Sequence, residues 1–167
     1  TGSFRGDTKY AGGIVGTQSV MPDLDSLTEN CWSMGQMDDM RCGGIAGWLK
    51  GPVTVRNCYS DEGTLVGETS NNAGSPTMTN VQYKSTAAFA SGEVAYLLRT
   101  LAAAGTNVWG QNLDNGQTVQ TVPTFDGADV YCGYASCADT KVKYTNNASV
   151  STTPIAHDWG CTATGAQ

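Results

Sequence analysis

The stretch GGIAGWLKGPVTVRNCYSDEGTLVG, residues 43–67, decides the fold of this chain. Its two-residue apolar segments are bounded by glycine, which indicates short buried strands between tight bends. Residues 53–56 alternate valine with polar residues and indicate a half-buried strand. Asn57 suits a corner after that strand, because asparagine tolerates the left-handed backbone conformation better than most residues. The stretch is therefore interpreted as structural, one strand–bend–strand unit.

This unit recurs. GGIVG at 12–16, GGIAG at 43–47 and GTLVG at 63–67 are each followed by a segment that contains asparagine: TENCWS at 28–33, VRNCYS at 55–60 and MTNVQYKS at 78–85. Three such units predict an all-β fold, a parallel β-solenoid whose coils occupy residues 1–90. A β-sandwich with chance similarity between its strands is the alternative. Cys31 and Cys58 occupy equivalent positions on neighbouring units, where we expect two buried free thiols.

The repeated Gly-Gly-Ile-x-Gly and Asn-Cys-Tyr/Trp-Ser motifs resemble the GLUG repeat of large secreted and cell-surface bacterial proteins, including non-catalytic parts of some IgA-cleaving proteases. The resemblance covers residues 12 to 67, and the third unit departs from it by lacking the second glycine and the cysteine. The segment FASGEVAYLLRTLAAAGTNVWGQNL and the ending HDWGCTATGAQ are similar to parts of surface proteins of gut anaerobes. The resemblance implies an extracellular or cell-surface location and gives no ligand.

Beyond the repeats the hydrophobic period changes. Apolar residues from Val94 to Leu101 follow helical spacing, with Ser91 as N-cap and Gly105 as a stop, and predict one amphipathic helix over 91–105. The segments VWGQ, QTVQTVPTF and ADVYCGY are interpreted as short strands. Residues 91–137 are thus expected to complete or cap the solenoid, and the Thr/Asn-rich residues 138–167 to form a small strand and loop appendage.

Composition excludes several classes of partner. Only 14% of the residues are charged, the net charge is −6 and the isoelectric point is about 4.5. Such a chain has no surplus of cations to neutralise phosphates or an anionic bilayer, so nucleic acid and membrane surfaces are not expected partners. No apolar run approaches the roughly 20 residues of a membrane span. The chain begins at Thr1 without methionine and is expected to be a processed piece of a longer protein.

A weak metal site is predicted near the end of the chain. Its four zinc-type ligands are Cys132, Cys137, His157 and Cys161. Free thiols and a disulfide among the three cysteines are both favoured over zinc, and no cofactor is predicted. Calcium binding by the acidic pairs at 38–39 and 61–62, or by Asp126 with Asp129, is less favoured than solvated loops, because none follows the EF-hand pattern.

Catalytic motifs are not found. His157 is the sole histidine, and the sequence has neither a nucleophile elbow nor the His-Glu-x-x-His motif of metalloproteases. Two short motifs carry little weight: Arg-Gly-Asp at 5–7, the integrin-binding tripeptide, and the glycosylation acceptor at Asn147.

The candidate binding residues are aromatic. Trp32, Trp48 and Tyr59 lie near predicted corners and could stack on sugars, packing between units being the alternative. The sequence therefore predicts a non-catalytic extracellular module for adhesion or display, which binds host glycans or surface proteins or acts as a spacer, with end-to-end association through its ends. The alternative is a carbohydrate-active β-helix, a glycoside hydrolase or lyase, with paired carboxylates in a groove.

Overall fold

A computed structural model describes residues 10–19, 26–37, 41–71, 74–103, 106–133 and 143–149 of the chain. The chain forms two compact units, Thr1–Thr86 and Ala87–Gln167. The first unit contains the three sequence repeats, and the second contains the helices and the irregular segments that follow them.

The first unit is built from two parallel sheets of three strands each, side by side. Each repeat supplies one strand to each sheet, because its two strand-forming segments are separated by a polar loop. The first sheet has the order β1 (Val15–Ser19), β3 (Ala46–Lys50) and β5 (Val66–Ser70). The second has the order β2 (Leu27–Ser33), β4 (Thr54–Ser60) and β6 (Thr77–Tyr83). Equivalent residues of neighbouring repeats are paired throughout, with Cys31 opposite Cys58 and Cys58 opposite Val81.

The hydrophobic core of this unit comes mainly from the middle repeat. Its fully buried members are residues of β3 and β4 and of the segments before them: Ile45, Ala46, Leu49, Val53, Val55 and Cys58. Apolar residues of the outer repeats, including Val15 and Val81, pack against this cluster while only partly buried. The middle repeat is enclosed because it has a neighbour on both sides, whereas the outer repeats have one each.

Glycine and serine fit together within the first and second repeats. A Cβ atom on Gly13 would lie 2.8 Å from Cβ of Ser33, and one on Gly44 would lie 2.7 Å from Cβ of Ser60, both too close for real side chains. The Ser33 hydroxyl donates a hydrogen bond to the carbonyl oxygen of Gly44, and the two serine Oγ atoms are 3.1 Å apart. The second glycine of the repeat is therefore required by the serine that ends the following strand.

An asparagine in left-handed conformation interrupts each strand of the second sheet. Asn30, Asn57 and Asn80 have φ angles of 53°, 52° and 53°. The Asn57 side-chain amide donates to Oδ1 of Asn30 at 2.6 Å, and the hydroxyl of Tyr59 donates to Oδ1 of Asn57 at 2.7 Å. The equivalent backbone bend in all three repeats thus explains why asparagine recurs at this position.

The predicted parallel β-solenoid is wrong. In the described residues the repeats form two separate three-stranded sheets, and no further strand closes them into coils. The repeat motif determines which strands pair, but the loops between the two strands of a repeat carry no strand-forming pattern that would complete a closed wall. The all-β class is also wrong, because two helices follow the repeats.

Residues 86–100 of the chain form two short helices, α1 (Thr86–Ala90) and α2 (Glu93–Thr100), where one helix over 91–105 was predicted. Gly92 stands at the start of α2 with a φ of 89°, a conformation that breaks the helical path between the two. The helix α2 ends at Thr100, before Gly105. Its buried residues, Val94, Ala95 and Leu98, lie on one face as the amphipathic pattern predicted.

The rest of the second unit is mostly irregular. Of the predicted strands after the helix, only residues 131–132 form one in the described part, β7 (Tyr131–Cys132), paired antiparallel with β8 (Tyr144–Thr145). Hydrogen bonds from side chains to backbone carbonyl groups stabilise these segments in place of strand pairing. The Gln111 amide donates to the carbonyl oxygens of Phe89 at 3.0 Å and Gln120 at 2.9 Å. No helix in the described ranges has the length and apolar character needed to cross a bilayer.

Candidate functional site

A stack of aromatic and cationic side chains lies on the first sheet of the first unit. The rings of Tyr10 and Trp48 are stacked with centroids 4.7 Å apart and planes inclined by 23°. The guanidinium carbon of Arg41 lies 5.7 Å from the Tyr10 ring centroid, and Nζ of Lys50 lies 5.4 Å from that of Trp48. These four residues are called the aromatic–cation stack.

The middle repeat positions this stack. Trp48 and Lys50 belong to β3, the central strand, where Trp48 is flanked in register by Thr17 and Glu68. Trp48 and Tyr10 are half-buried, and both cations are exposed. Trp48 Nε1 is buried and has no hydrogen-bond acceptor among the described residues. The site therefore offers partly exposed ring surface and two exposed cations.

The other two predicted aromatic residues lie on the second sheet, and the structure does not bring them to Trp48. Trp32 is half-buried on β2, in register with Tyr59 on β4. Tyr59 is fully buried, and its hydroxyl donates a hydrogen bond to Oδ1 of Asn57. Because no part of its ring reaches solvent, Tyr59 packs in the interior and cannot stack on a sugar.

The predicted metal ligands lie mostly outside the described residues. Cys132 is half-buried on β7, whereas Cys137, His157 and Cys161 are in segments that the structure does not describe. Within the described ranges, no group of three or more histidine, cysteine, aspartate or glutamate side chains is placed to hold a metal ion. The zinc site stays a prediction.

The acidic residues that were considered for calcium or catalysis hold loops and side chains in place. Oδ1 of Asp61 accepts a hydrogen bond from the Gly35 N–H at 2.9 Å, and Oε2 of Glu62 accepts one from the Met37 N–H at 3.1 Å. In the second unit Asp129 pairs with Arg99 at 2.9 Å. The pair at 38–39 includes residues that the structure does not describe.

Two features of the second unit were missed by sequence reasoning. Phe125 is 73% exposed and stacks on Trp109 with ring centroids 4.3 Å apart. A cleft of about 440 Å³ is lined by polar residues including Asp114, Lys143 and Asn146. The backbone N–H of Asn146 lowers the pKa of Asp114, burial opposes it, and the Thr145 hydroxyl and Lys143 lower the pKa further. No local motif marks either feature, because their members are separated in sequence.

The short motifs lie as follows. Asn147 is exposed, and its Oδ1 accepts hydrogen bonds from the N–H and hydroxyl of Ser149, 3.1 and 2.7 Å away. The Arg-Gly-Asp tripeptide at 5–7 is outside the described residues.

Comparisons with protein-family models, curated protein sequences and solved structures give no match. The resemblance to GLUG repeats therefore stays a prediction from the motifs quoted above, and the site has to be argued from its own geometry.

Proposed function

We propose that this chain is a non-catalytic extracellular module for adhesion or display at a bacterial cell surface, and that it binds acidic glycans through the aromatic–cation stack. The surface location follows from the GLUG-like motifs. The observation that carries the binding function is the Tyr10–Trp48 ring pair with an exposed cation close to each ring.

The chemistry of the stack favours an acidic sugar polymer. Aromatic rings contact the apolar C–H faces of sugar rings, while Arg41 and Lys50 can form charge-assisted hydrogen bonds with carboxylate or sulfate groups. The cations are exposed and keep much of their hydration, so each contact is weak. Affinity for one glycan chain is expected to be about millimolar and to rise when several copies of the protein are displayed together.

The positions of Asp61 and Glu62 favour the binding function over the carbohydrate-active alternative. Asp61 and Glu62 are the acidic pair of the middle repeat, and both accept hydrogen bonds from backbone N–H groups of the preceding repeat's loop. These hydrogen bonds give both carboxylates a role in holding the loop, whereas a glycosidase needs two that face each other across a sugar cleft.

A glycan array probed with the purified full chain, as monomer and as a streptavidin-linked tetramer, tests the proposal. Binding to sialylated or sulfated glycans is expected with the tetramer, with at least about a tenfold loss in Arg41→Gln and Lys50→Gln, because each change removes one cation. Lys143→Gln is the matched control: it removes the same charge from the second unit and should bind like the parent chain.

Equal losses in all three variants would mean that only net charge matters and would contradict the assignment of the site. Release of reducing ends from mucin or plant polysaccharide by the purified chain, abolished by Asp61→Asn, would overturn the non-catalytic proposal and support the hydrolase alternative.

A further inference from the structure

Two cysteines of neighbouring repeats lie side by side in the second sheet. Cys31 on β2 and Cys58 on β4 are direct partners in the parallel register, and both are free thiols. Neighbouring strands are separated by about 4.8 Å, which lies within the range of Cα separations that a disulfide can span. The pair is therefore close enough to form a bond without a change of register.

The two thiols have different surroundings. Cys58 is on the central strand and is fully buried, whereas Cys31 is on an outer strand and is partly exposed. In the reduced pair, Cys31 Sγ lies 3.0 Å from the carbonyl oxygen of Glu29, and Cys58 Sγ lies 3.3 Å from that of Arg56. Cys31 is thus the more accessible of the two residues to a reagent in solution.

The buried partner also makes Cys31 more acidic. A hydrogen bond from the Cys58 thiol lowers the pKa of Cys31 to about 7, although burial and the Glu29 carboxylate act in the opposite direction. The same hydrogen bond raises the pKa of Cys58, which therefore stays protonated. An accessible thiolate with a second thiol next to it is the arrangement found in peroxide-sensitive cysteines.

We propose that Cys31 and Cys58 form a reversible, peroxide-sensitive thiol pair that links the first two repeats when oxidised. The Cys31 thiolate attacks a hydroperoxide: an S–O bond forms, the O–O bond breaks, and the alkoxide or hydroxide that leaves takes up a proton from water. Cys58 sulfur then attacks Cys31 sulfur, the S–S bond forms, the S–O bond breaks, and the hydroxyl leaves as water with the Cys58 proton. The peroxide gains the two electrons that the two sulfurs lose.

The geometry also makes the bond easy to reduce. Side chains of directly paired residues in a parallel sheet project in the same direction, whereas a relaxed disulfide needs a dihedral angle near 90° between its two halves. A disulfide held away from its preferred geometry is reduced more readily by other thiols. The link is accordingly expected to form under peroxide and to be reduced again by a small thiol.

The test is brief exposure of the full chain to hydrogen peroxide at pH 7.5, followed by denaturing alkylation and peptide mapping of every cysteine. A Cys31–Cys58 disulfide is expected to form at least about tenfold faster than oxidation of Cys42, which is buried and serves as the internal control. Dithiothreitol should restore both thiols. Oxidation of Cys31 no faster than that of Cys42, or a disulfide from Cys31 to a different cysteine, would overturn the proposal.

A Cys58→Ser variant separates the two chemical steps. Cys31 should still react with peroxide but stop as sulfenic acid, which dimedone traps and mass spectrometry detects on its peptide. Full conversion of Cys31 to a disulfide in that variant would contradict the role of Cys58. If the variant does not fold, mapping of the unmodified chain still decides the proposal, because it needs no substitution.

Discussion

The hydroxyl group of Ser60 occupies the space that a side chain at position 44 would need. Gly13 and Ser33 make the same contact in the first repeat. The contact explains why the motif has a second glycine and a serine after Asn-Cys-Tyr/Trp. In the third repeat, Thr64 replaces the second glycine and Tyr83 stands in register with Ser60, so both members of the contact are changed together.

Gly44→Ala is expected to destabilise the chain by about 1–3 kcal/mol, because the added Cβ would overlap Ser60 in a packed interior. Gly63→Ala is the matched control: no atom lies within 4 Å of the Cβ it would add, so a change within about 1 kcal/mol is expected. Urea denaturation followed by circular dichroism measures both. Equal effects would show that the Gly44–Ser60 contact does not matter.

The reactivity of Cys31 provides a prediction about pH. Since the thiolate is the nucleophile and the pKa of Cys31 is lowered to about 7, its alkylation by iodoacetamide should increase with pH around a midpoint near 7. Cys58→Val removes the S–H donor and should move the midpoint upward, whereas Cys58→Ser keeps a hydroxyl donor and should retain a low midpoint. Residue-resolved mass spectrometry follows the rates; a midpoint near 9 in the unmodified chain would contradict the hydrogen bond.

Among the elements, the strands of the middle repeat differ from their neighbours in burial although they share a motif. Val55 on β4 is fully buried, while Met78, its direct partner on the outer strand β6, is 50% exposed. The same register position therefore contributes different amounts of burial in different repeats, because a central strand is covered on both sides and an outer strand on one.

Val55→Ala should lower the free energy of unfolding by about 2 kcal/mol, since it removes buried methyl groups and leaves a cavity. Met78→Ala at the paired position should cost less than about 1 kcal/mol, because half of its side chain is already in water. Denaturant midpoints of the two variants provide the comparison. A larger loss for Met78→Ala would mean that β6 is covered more fully than its exposure indicates.

The elements also show how far sequence reasoning extends. Repeated glycines and asparagines predicted which strands are neighbours, and the pairing of Cys31 with Cys58 confirms that register. They did not predict two separate sheets. The motif determines which strands of neighbouring repeats pair, but it does not determine whether the two sheets are joined by further strands into a closed coil. The helix pattern in 91–105 was found, but the left-handed Gly92 that separates α1 from α2 was not.

At the scale of the whole molecule, the second unit was the least predictable part. Its backbone is held by side-chain amides: Asn146 donates to the carbonyl oxygens of Gln111 and Asp129, both at 2.8 Å. Such contacts join residues far apart in sequence and leave no periodic pattern, so the interpretation of these segments as strands was mostly wrong. Only one of the four members of the aromatic–cation stack was predicted, because Trp48 was singled out but Tyr10, Arg41 and Lys50 were not.

The open space beside Gly63 leaves room for the backbone of a further repeat. Gly12 and Gly43 lie against the backbone of the following repeat. A Cβ atom added to Gly12 would lie 2.8 Å from Cα of Ala46, and one added to Gly43 would lie 2.7 Å from Cα of Val66. A Cβ atom added to Gly63 would have no such neighbour. An in-frame duplication of the last repeat would add one strand to each sheet and leave the existing strand pairs in place. Unequal recombination between these similar segments can thus change the number of repeats in one step, so a lineage could lengthen or shorten this protein without redesigning its interior.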